Sequence, residues 1–179
     1  MPEFGQRLEV LKHFGYVDET GTVQLKGRVA CEINSGDELI ITEMIFHGIL
    51  TNLTPEEAVA VLSAFIFQEK NQDMPELHDA LETACNDLRD LCLTCGIYQF
   101  DCGLGLDPES FCIATLNFGL VKVVHEWAKG TPFIDICKLT TVPEGTIVRT
   151  IVRLEQSCRE VMDAARVMGN TSLFQQMQQ

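Results

Sequence analysis

The longest amphipathic helix pattern in the chain lies between Val142 and Gly169. It opens with Val142-Pro143-Glu144, and proline suits the first turn of a helix. Gly169-Asn170 is a typical helix end. One side of the pattern is apolar and consists of Ile147, Val148, Ile151, Leu154, Cys158, Val161, Met162 and Ala165. Because so wide an apolar face must be buried against other helices, the chain is predicted to be an all-α helical bundle.

Further helix signals occur along most of the chain. Ser35 is an N-cap candidate, with Asp37 and Glu38 in the first turn. Thr54-Pro55-Glu56-Glu57 is a second start signal, and Ala58 to Phe67 beyond it is apolar nearly all round, which is typical of a central helix. The other predicted elements are a polar connection from Glu69 to Asp73, helices from Pro75 to Cys95, Asp107 to Trp127 with a break near Asn117, Thr131 to Leu139 and Thr171 to Gln179, and a loop from Gly96 to Asp107.

The beginning of the chain is predicted to be a short helix followed by a β-hairpin. Gln6 to Phe14 has helical spacing of its apolar residues. Tyr16-Val17 and Thr22 to Ile33 have strand character on either side of the turn at Asp18 to Gly21, and Gly27 is expected to mark a bulge. A helix that leads into a hairpin is the ending of a winged-helix module. We therefore expect residues 1–34 to be the remnant of such a module and residues 35–179 to be the helical bundle.

Composition excludes two broad classes of protein. The chain is 46% hydrophobic and has a mean hydropathy of +0.09, which is enough apolar surface for a sizeable core and argues against wholesale disorder. No stretch reaches the roughly 18 uncharged apolar residues of a membrane span. We expect no membrane partner.

The charge of the chain is strongly uneven. The formal net charge is −13, and residues 35–112 carry 15 acidic residues against only Lys70 and Arg89, a net of −13. The remainder is balanced, and four of the seven arginines fall in the Val142 to Gly169 helix. The acidity thus belongs to one block and does not describe every face. Because affinity for phosphates depends on cationic contacts, the isolated chain is expected to bind RNA weakly at best.

No catalytic constellation is present in the sequence. There is no phosphate-cradling G-x-x-x-x-G-K-[ST] loop and no G-x-S-x-G elbow, and each of the four histidines is isolated along the chain. No catalytic residue is predicted, and the chain by itself is not expected to be an enzyme.

The cysteines favour free thiols over a metal or disulfide framework. Several of the eight sit among apolar residues at helix or strand spacing, as buried thiols do. Cys92-x-x-Cys95 is half of a zinc pattern, but no second half follows it; Cys102, His78 or His125 could complete it only through the tertiary fold. No metal site is predicted. A metal or redox protein built on the CxxC pair remains the weakest alternative.

The polar side of the long helix carries the strongest hint of a binding surface. Its polar residues step by three and four positions through Arg149, Arg153, Gln156, Glu160 and Asp163. One interpretation is a solvated face with intrahelical ion pairs, such as Arg159 with Asp163. The other is a face whose arginines contact a nucleic-acid strand, since guanidinium groups bond phosphates and stack on bases.

Long, ordered stretches of the chain resemble one known family. They are KGRVACEI, SGDELIITEM, LSAFIFQEK, LNFGLVKVVHEWAKGTPF, PEGTIVR and RLEQSCRE. Together they resemble the C-terminal helical domain, often called DSHCT, of superkiller-type DExH-box RNA helicases, which feed RNA to the exosome. The resemblance extends from about Leu8 to Gln179. EWAKGTPF and PEGTIVRTIVRL are closer to the cytoplasmic superkiller helicase than to its nuclear exosome-associated relative.

The resemblance implies a role for the long helix. In such helicases this bundle packs across two RecA-like motor domains and completes a channel around single-stranded RNA. The helix from Pro143 to Met168 would then touch RNA through Arg149 and Arg153, with Gln156 one turn on and Glu69 of FQEK facing the same path.

The resemblance also implies the setting in which the domain works. The parent helicase would hold ATP and magnesium in its motor domains, whereas this chain itself needs no cofactor. The implied partners are single-stranded RNA, the motor domains, superkiller complex subunits and the RNA exosome, in the cytoplasm. The family's terminal stretch is missing, so the chain is expected to be C-terminally truncated. The alternative function is a protein-interaction module that docks motor domains or partner subunits without direct RNA contact.

Overall fold

The computed structural model describes residues 2–69 and 74–179, and these residues form an all-α bundle. Their α-helices are α1 (Pro2–His13), α2 (Leu25–Ala30), α3 (Glu38–Phe46), α4 (Pro55–Ile66), α5 (Asp79–Asp101), α6 (Pro108–Thr115), α7 (Val121–Ala128), α8 (Phe133–Ile136), α9 (Glu144–Met168) and α10 (Thr171–Gln178). Short 3₁₀ helices precede α7 at Phe118–Leu120 and follow α8 at Cys137–Leu139. The predicted all-α bundle is confirmed.

Helix α4 occupies the centre of the bundle. Its start has the predicted capping box, in which the Thr54 hydroxyl accepts the N–H of Glu57 and the Glu57 carboxylate accepts the N–H of Thr54. Beyond this cap nearly every side chain of α4 is buried. Helices α5, α7, α9 and α10 all pack against it. A helix that is apolar all round can exist only when it is enclosed in this way.

The prediction of a β-hairpin at the front, and with it of a winged-helix tail, is wrong. The described residues contain no β-strand, and one isolated antiparallel bridge joins Val17 to Val23. The turn itself forms, because the Asp18 carboxylate accepts the N–H groups of Thr20 and Thr22. Beyond the bridge the chain enters α2, where the sequence suggested a strand.

The spacing of buried residues explains this error. Val29 and Ile33 are both buried and lie four residues apart, whereas Cys31 between them is exposed. The apolar residues therefore follow one helical face into the turn after α2, and the apparent period of two was coincidental. Gly27 marks no bulge; it allows α2 to approach the preceding chain closely, because a Cβ there would lie 2.5 Å from the Tyr16 carbonyl oxygen.

A glycine also accounts for the second difference from the sequence prediction. Helix α5 starts at Asp79, four residues later than expected, and continues through Gly96 to Asp101, where a loop was predicted. Gly96 is buried beside α6, and a Cβ there would lie 2.9 Å from the Phe111 ring and 3.3 Å from the Pro108 Cα. The glycine serves close helix packing and does not end the helix. The predicted connection from Glu69 to Asp73 lies outside the described residues from residue 70 onward.

Polar contacts attach the first 35 residues to the bundle. Lys26 on α2 donates to the buried Glu43 of α3 at 2.6 Å and to the Phe14 carbonyl oxygen at 2.9 Å. The backbone N–H groups of Asn34 and Ser35 both donate to Glu160 on α9, each at 2.9 Å. The division of the chain at residue 34 stays a prediction.

Substitution of Gly27 tests the close approach at α2. We expect Gly27→Ala to lower the free energy of unfolding by about 1–3 kcal/mol, as overpacking does, because the new methyl group meets the Tyr16 carbonyl oxygen and Val23. Gly5→Ala is the matched control in α1, where a Cβ meets nothing within 4 Å; it should stabilise the chain by about 0.5–1 kcal/mol. Urea denaturation measures both. Equal effects of the two substitutions would contradict the packing argument.

Candidate nucleic-acid interface

Burial of one side of α9 determines which residues it presents outward. Helix α9 begins after Pro143 and ends at Gly169, which has a positive φ of 73°. Ile147, Leu154 and Val161 are completely or almost completely buried. Arg149 and Arg153 lie outside this buried side of the helix, and both are exposed. The packing of the apolar side thus holds both arginines at the surface.

The two arginines share a surface cleft with the end of α4. The cleft has a volume of about 500 Å³. One side is formed by residues 66–69 and the other by residues of α9, including Thr146, Val148, Arg149, Val152 and Arg153. Three of the four predicted site residues, Glu69, Arg149 and Arg153, are therefore brought together. Gln156 is not among the residues that line the cleft.

A chain of hydrogen bonds links Glu69 to Arg149 through Thr146. The Thr146 hydroxyl donates to the Glu69 carboxylate at 2.8 Å, and the Arg149 guanidinium donates to the same hydroxyl oxygen at 2.9 Å. Thr146 is 8% exposed, so its position is determined by packing. Because the hydroxyl proton is used toward Glu69, its lone pairs remain free for Arg149. The acid thus orients the arginine indirectly.

The backbone at Glu69 is also held in place. The Asn117 side chain donates to the Glu69 carbonyl oxygen at 2.8 Å, and the Asn117 N–H donates to the Ala64 carbonyl oxygen, also at 2.8 Å. Sequence analysis did not single out Asn117 or Thr146 as site residues. The position of Thr146, one turn before Arg149, was an available signal, whereas the contact of Asn117 with Glu69 depends on tertiary packing.

The four arginines of α9 fall into two classes. Arg159 pairs with Glu155 and Arg166 pairs with Asp163, both at 2.6 Å, so the suggested pair of Arg159 with Asp163 is replaced by these two. Within residues 2–69 and 74–179, neither Arg149 nor Arg153 forms an ion pair. Since an arginine that already pairs with a carboxylate offers less charge to a phosphate, the N-terminal half of α9 is the more suitable half for an anion.

Gln156 and Glu160 have structural contacts instead. The Gln156 side chain donates to the Glu160 carboxylate at 3.0 Å. Glu160 is 6% exposed and accepts the N–H groups of Asn34 and Ser35. Burial by itself raises the pKa of Glu160, but the hydrogen bonds from Asn34, Gln156 and Ser35 outweigh it and hold the pKa below the ordinary value. The predicted solvated stripe is therefore interrupted at Glu160.

Two exposed apolar side chains complete the cleft. Val148 and Val152 are 47% and 63% exposed, although the sequence placed Val148 on the buried face. They line the cleft together with Arg149 and Arg153. Cationic groups beside an apolar surface suit a single strand, whose phosphates and base faces require both.

The two thiols of the CxxC pair lie inside the bundle. Cys92 and Cys95 are both fully buried in α5, and burial raises the pKa of Cys95 to about 12 and that of Cys92 further. Since the thiolate is the reactive form of cysteine, burial lowers the reactivity of these two thiols. In the described part of the chain, the group of side chains with metal-ligand spacing is Glu57, His78 and His125. Burial, followed by the nearby His78, lowers the pKa of His125.

Comparison with known proteins agrees with this arrangement. The family model of the DSHCT (NUC185) domain matches residues 20–179. The chain belongs to the DSHCT family. None of the helices within residues 2–69 and 74–179 has both the length and the apolar character that crossing a membrane requires.

The DSHCT chain is similar to the corresponding part of several RNA helicases. It is 52% identical over 177 residues to the DExH-box ATP-dependent RNA helicase DExH11 of Arabidopsis thaliana and 43% identical over 178 residues to Superkiller complex protein 2 of Homo sapiens. The identity to the Exosome RNA helicase MTR4 of Homo sapiens is 38% over 173 residues. The comparison covers 97–99% of this chain but only 13%, 14% and 16% of those helicases. The resemblance to superkiller-type DExH helicases is confirmed.

The Glu160 contacts generate a prediction about stability and pH. Glu160→Ala should lower the free energy of unfolding at pH 7 by about 1–3 kcal/mol, because it leaves two backbone N–H groups without their acceptor. Glu160→Gln keeps one acceptor oxygen and should cost less. Since the folded pKa lies below the unfolded one, the carboxylate's contribution is present above the unfolded pKa and is lost as pH falls through the folded pKa. Chemical denaturation from pH 7 down to pH 3 measures this; identical pH profiles for wild type and Glu160→Ala would refute it.

Proposed function

We propose that this DSHCT domain is a noncatalytic wall that guides single-stranded RNA past the motor domains of its parent helicase. The single observation that carries the proposal is the cleft between α4 and α9. It presents two arginines without ion pairs to other described residues, beside two exposed valines. ATP-driven movement of the motor domains would slide the RNA along this face.

The proposed setting follows from the helicases that the chain resembles. ATP and magnesium would act in the motor domains, and no cofactor would be held in this domain for the ATPase reaction. The partners would be single-stranded RNA, the RecA-like motor domains, superkiller complex subunits and the RNA exosome, with a cytoplasmic location. The names of the relatives, which include an ATP-dependent RNA helicase and a superkiller complex protein, support this proposal.

The charge of the chain argues for weak RNA binding that is confined to the cleft. The chain as a whole carries a net charge of −13, so a polyanion is repelled by most of the surface. Arg149 and Arg153 are one helical turn apart and face the same cleft. Because these two arginines are the cationic residues that line the cleft, RNA binding there should depend on both side chains and should weaken as the salt concentration rises.

An RNA-binding measurement tests the two arginines. We expect Arg149→Ala/Arg153→Ala to weaken binding of a labelled single-stranded RNA by about ten- to a hundredfold, since hydrogen bonds to charged groups contribute about 1.5–3 kcal/mol. The slope of log affinity against log salt should become shallower by roughly 1.4, the value for two phosphate contacts on a single strand. Fluorescence anisotropy at low and moderate salt measures both quantities.

Helix α9 itself supplies the matched control. Arg159→Ala/Arg166→Ala removes the same charge from the same helix, but these arginines are already paired with Glu155 and Asp163. This variant should keep most of the affinity. If the two double variants weaken binding equally, the effect is one of net charge and the proposed path is wrong. If the isolated chain binds no RNA, the same pair of variants in the full helicase decides, and unchanged RNA-stimulated ATPase and unwinding would refute the proposal.

Thr146 allows positioning to be separated from charge. Thr146→Val keeps the shape of the side chain but removes the hydroxyl that bridges Glu69 and Arg149. We expect a loss of about 0.5–1.5 kcal/mol in RNA binding, the usual net value of one hydrogen bond, with an unchanged salt slope because no charge is lost. RNA affinity of Thr146→Val equal to that of the wild type would show that the hydroxyl does not position Arg149 for RNA binding.

A second candidate function rests on a different surface. Phe133, Ile134 and Leu139, around α8, are exposed large apolar residues, and Ile134 is 71% exposed. Such residues suit docking on a motor domain or a partner subunit without RNA contact. Association through this surface should change little with salt, whereas binding along the arginine cleft should weaken steeply.

A further inference from the structure

Three side chains that are far apart in the sequence meet at the starts of α4 and α5 and on α7. Glu57 lies in the first turn of α4, His78 is the N-cap residue of α5 and His125 lies on α7. One possible ligand atom from each residue lies within 4.8 Å of those from the other two. The imidazole rings of His78 and His125 have centroids 4.9 Å apart, with the ring planes tilted by 49°.

Among the described residues, no hydrogen bond is made by Glu57 Oε1 or by the His78 imidazole. Glu57 Oε2 accepts the N–H of Thr54 in the capping box, which determines the orientation of the carboxylate. The other oxygen, Oε1, points toward His78 and lies 3.6 Å from Nε2, which is beyond hydrogen-bond distance. The His78 imidazole makes no capping hydrogen bond to α5. One carboxylate oxygen and one imidazole nitrogen therefore face each other without a bond between them.

Packing holds two of the three side chains firmly and leaves the third free to change its conformation. Helices α4 and α7 pack directly on each other, and Glu57 and His125 are 9% and 8% exposed. The His78 side chain is half exposed and can turn without disturbing the core. Two ligands are thus preorganised and the third can close on them, which is favourable for binding a small ion from solvent.

We propose that Glu57, His78 and His125 form a binding site for one divalent transition-metal ion of the zinc class. Two imidazole nitrogens and one carboxylate oxygen are a ligand set that suits Zn²⁺, with a water molecule in the remaining position. A tetrahedral ion with bonds of about 2.0–2.1 Å holds its ligand atoms roughly 3.3 Å apart. The three ligand atoms lie within 4.8 Å of one another, so small side-chain adjustments, for which the half-exposed His78 has room, would bring them to that spacing.

A carboxylate next to the cluster can help to orient one of its imidazoles. The carboxylate of Glu126 lies 4.0 Å from His125 Nδ1 and also accepts hydrogen bonds from Lys129 and Thr131. Because Lys129 already balances the charge of Glu126, the contribution of this carboxylate would be to orient the imidazole, as carboxylates near zinc-binding histidines commonly do. The ion would join the start of α5 to α4 and α7, and its role would be structural.

Metal titration of the chain tests this site. Chain stripped with a chelator and kept reduced is titrated with ZnCl₂ by calorimetry and with CoCl₂ by visible absorption. We expect one ion per chain, a cobalt spectrum of nitrogen and oxygen ligation, and a higher melting temperature with zinc, because an ion that binds only the folded state stabilises it. His78→Gln should weaken zinc binding by at least about tenfold, since even the loss of an outer partner of a ligand has an effect of that size.

Two further variants make the test specific. Glu57→Gln keeps an acceptor for the capping box, which tolerates Gln, but replaces the carboxylate ligand; it should also weaken binding while leaving the metal-free melting temperature nearly unchanged. His47→Gln is the control, because His47 is similarly exposed and lies 3.5 Å from Glu43, but has no second histidine in its cluster. It should bind zinc as the wild type does.

The outcomes that overturn the site are distinct. Less than one ion per chain would refute it, as would equal affinity of the wild type and His78→Gln, or an equal loss in His47→Gln. A cobalt spectrum dominated by thiolate charge transfer would assign the ion to cysteines such as the exposed Cys31 instead. None of these results would bear on the arginine cleft, which lies at the other end of α4.

Discussion

Enclosure of α4 is the constraint on which the rest of the structure depends. Its side chains are apolar on every side, so the helix has no face to offer to water. Helices α5, α7, α9 and α10 must therefore pack around it. This packing sets the position of α9, and with it the direction of the arginines. The same packing places a group of functional candidates at each end of α4. Residues 66–69 line the cleft at one end, and Glu57 lies close to His78 and His125 at the other.

One side of the long helix α9 packs in the core, and another side carries exposed arginines. Its apolar side closes the core, and Glu160 holds the backbone of Asn34 and Ser35 from within that packed region. Arg149 and Arg153 stand on the outward side of the first half, and the arginines of the second half are neutralised by neighbouring acids. Among the arginines of α9, those without an ion pair to another described residue are thus the two that line the cleft, although the chain as a whole is acidic.

In the Glu69–Thr146–Arg149 chain of hydrogen bonds, an acid positions an arginine without pairing with it directly. A direct ion pair would satisfy the guanidinium and reduce its charge. The interposed hydroxyl instead restrains one edge of the group, and its other N–H donors make no side-chain hydrogen bond within residues 2–69 and 74–179. Arg149 is therefore held in position without an ion pair to another described residue, and in the proposed RNA contact this would lower the entropy lost on binding an anion.

Helices whose start, end and apolar face are marked by neighbouring residues could be predicted from the sequence alone. The capping box of α4, proline and glycine at helix ends, and the apolar period of 3.6 located α3, α4, α9 and α10, although α3 is capped by Asp37 and not by the predicted Ser35. Ordered family stretches identified the domain and led to the prediction of Arg149, Arg153 and Glu69 as RNA-contact candidates. Sequence analysis was misled at Thr22 to Ile33, where apolar residues satisfied two periods at once and packing selected the helical one. The tertiary fold was needed to show which arginines of α9 have no ion pair to another described residue, and that the Gln156 side chain donates to Glu160. It alone brought together Glu57, His78 and His125, because contacts between residues distant in the chain depend on how the helices pack and carry no local signal.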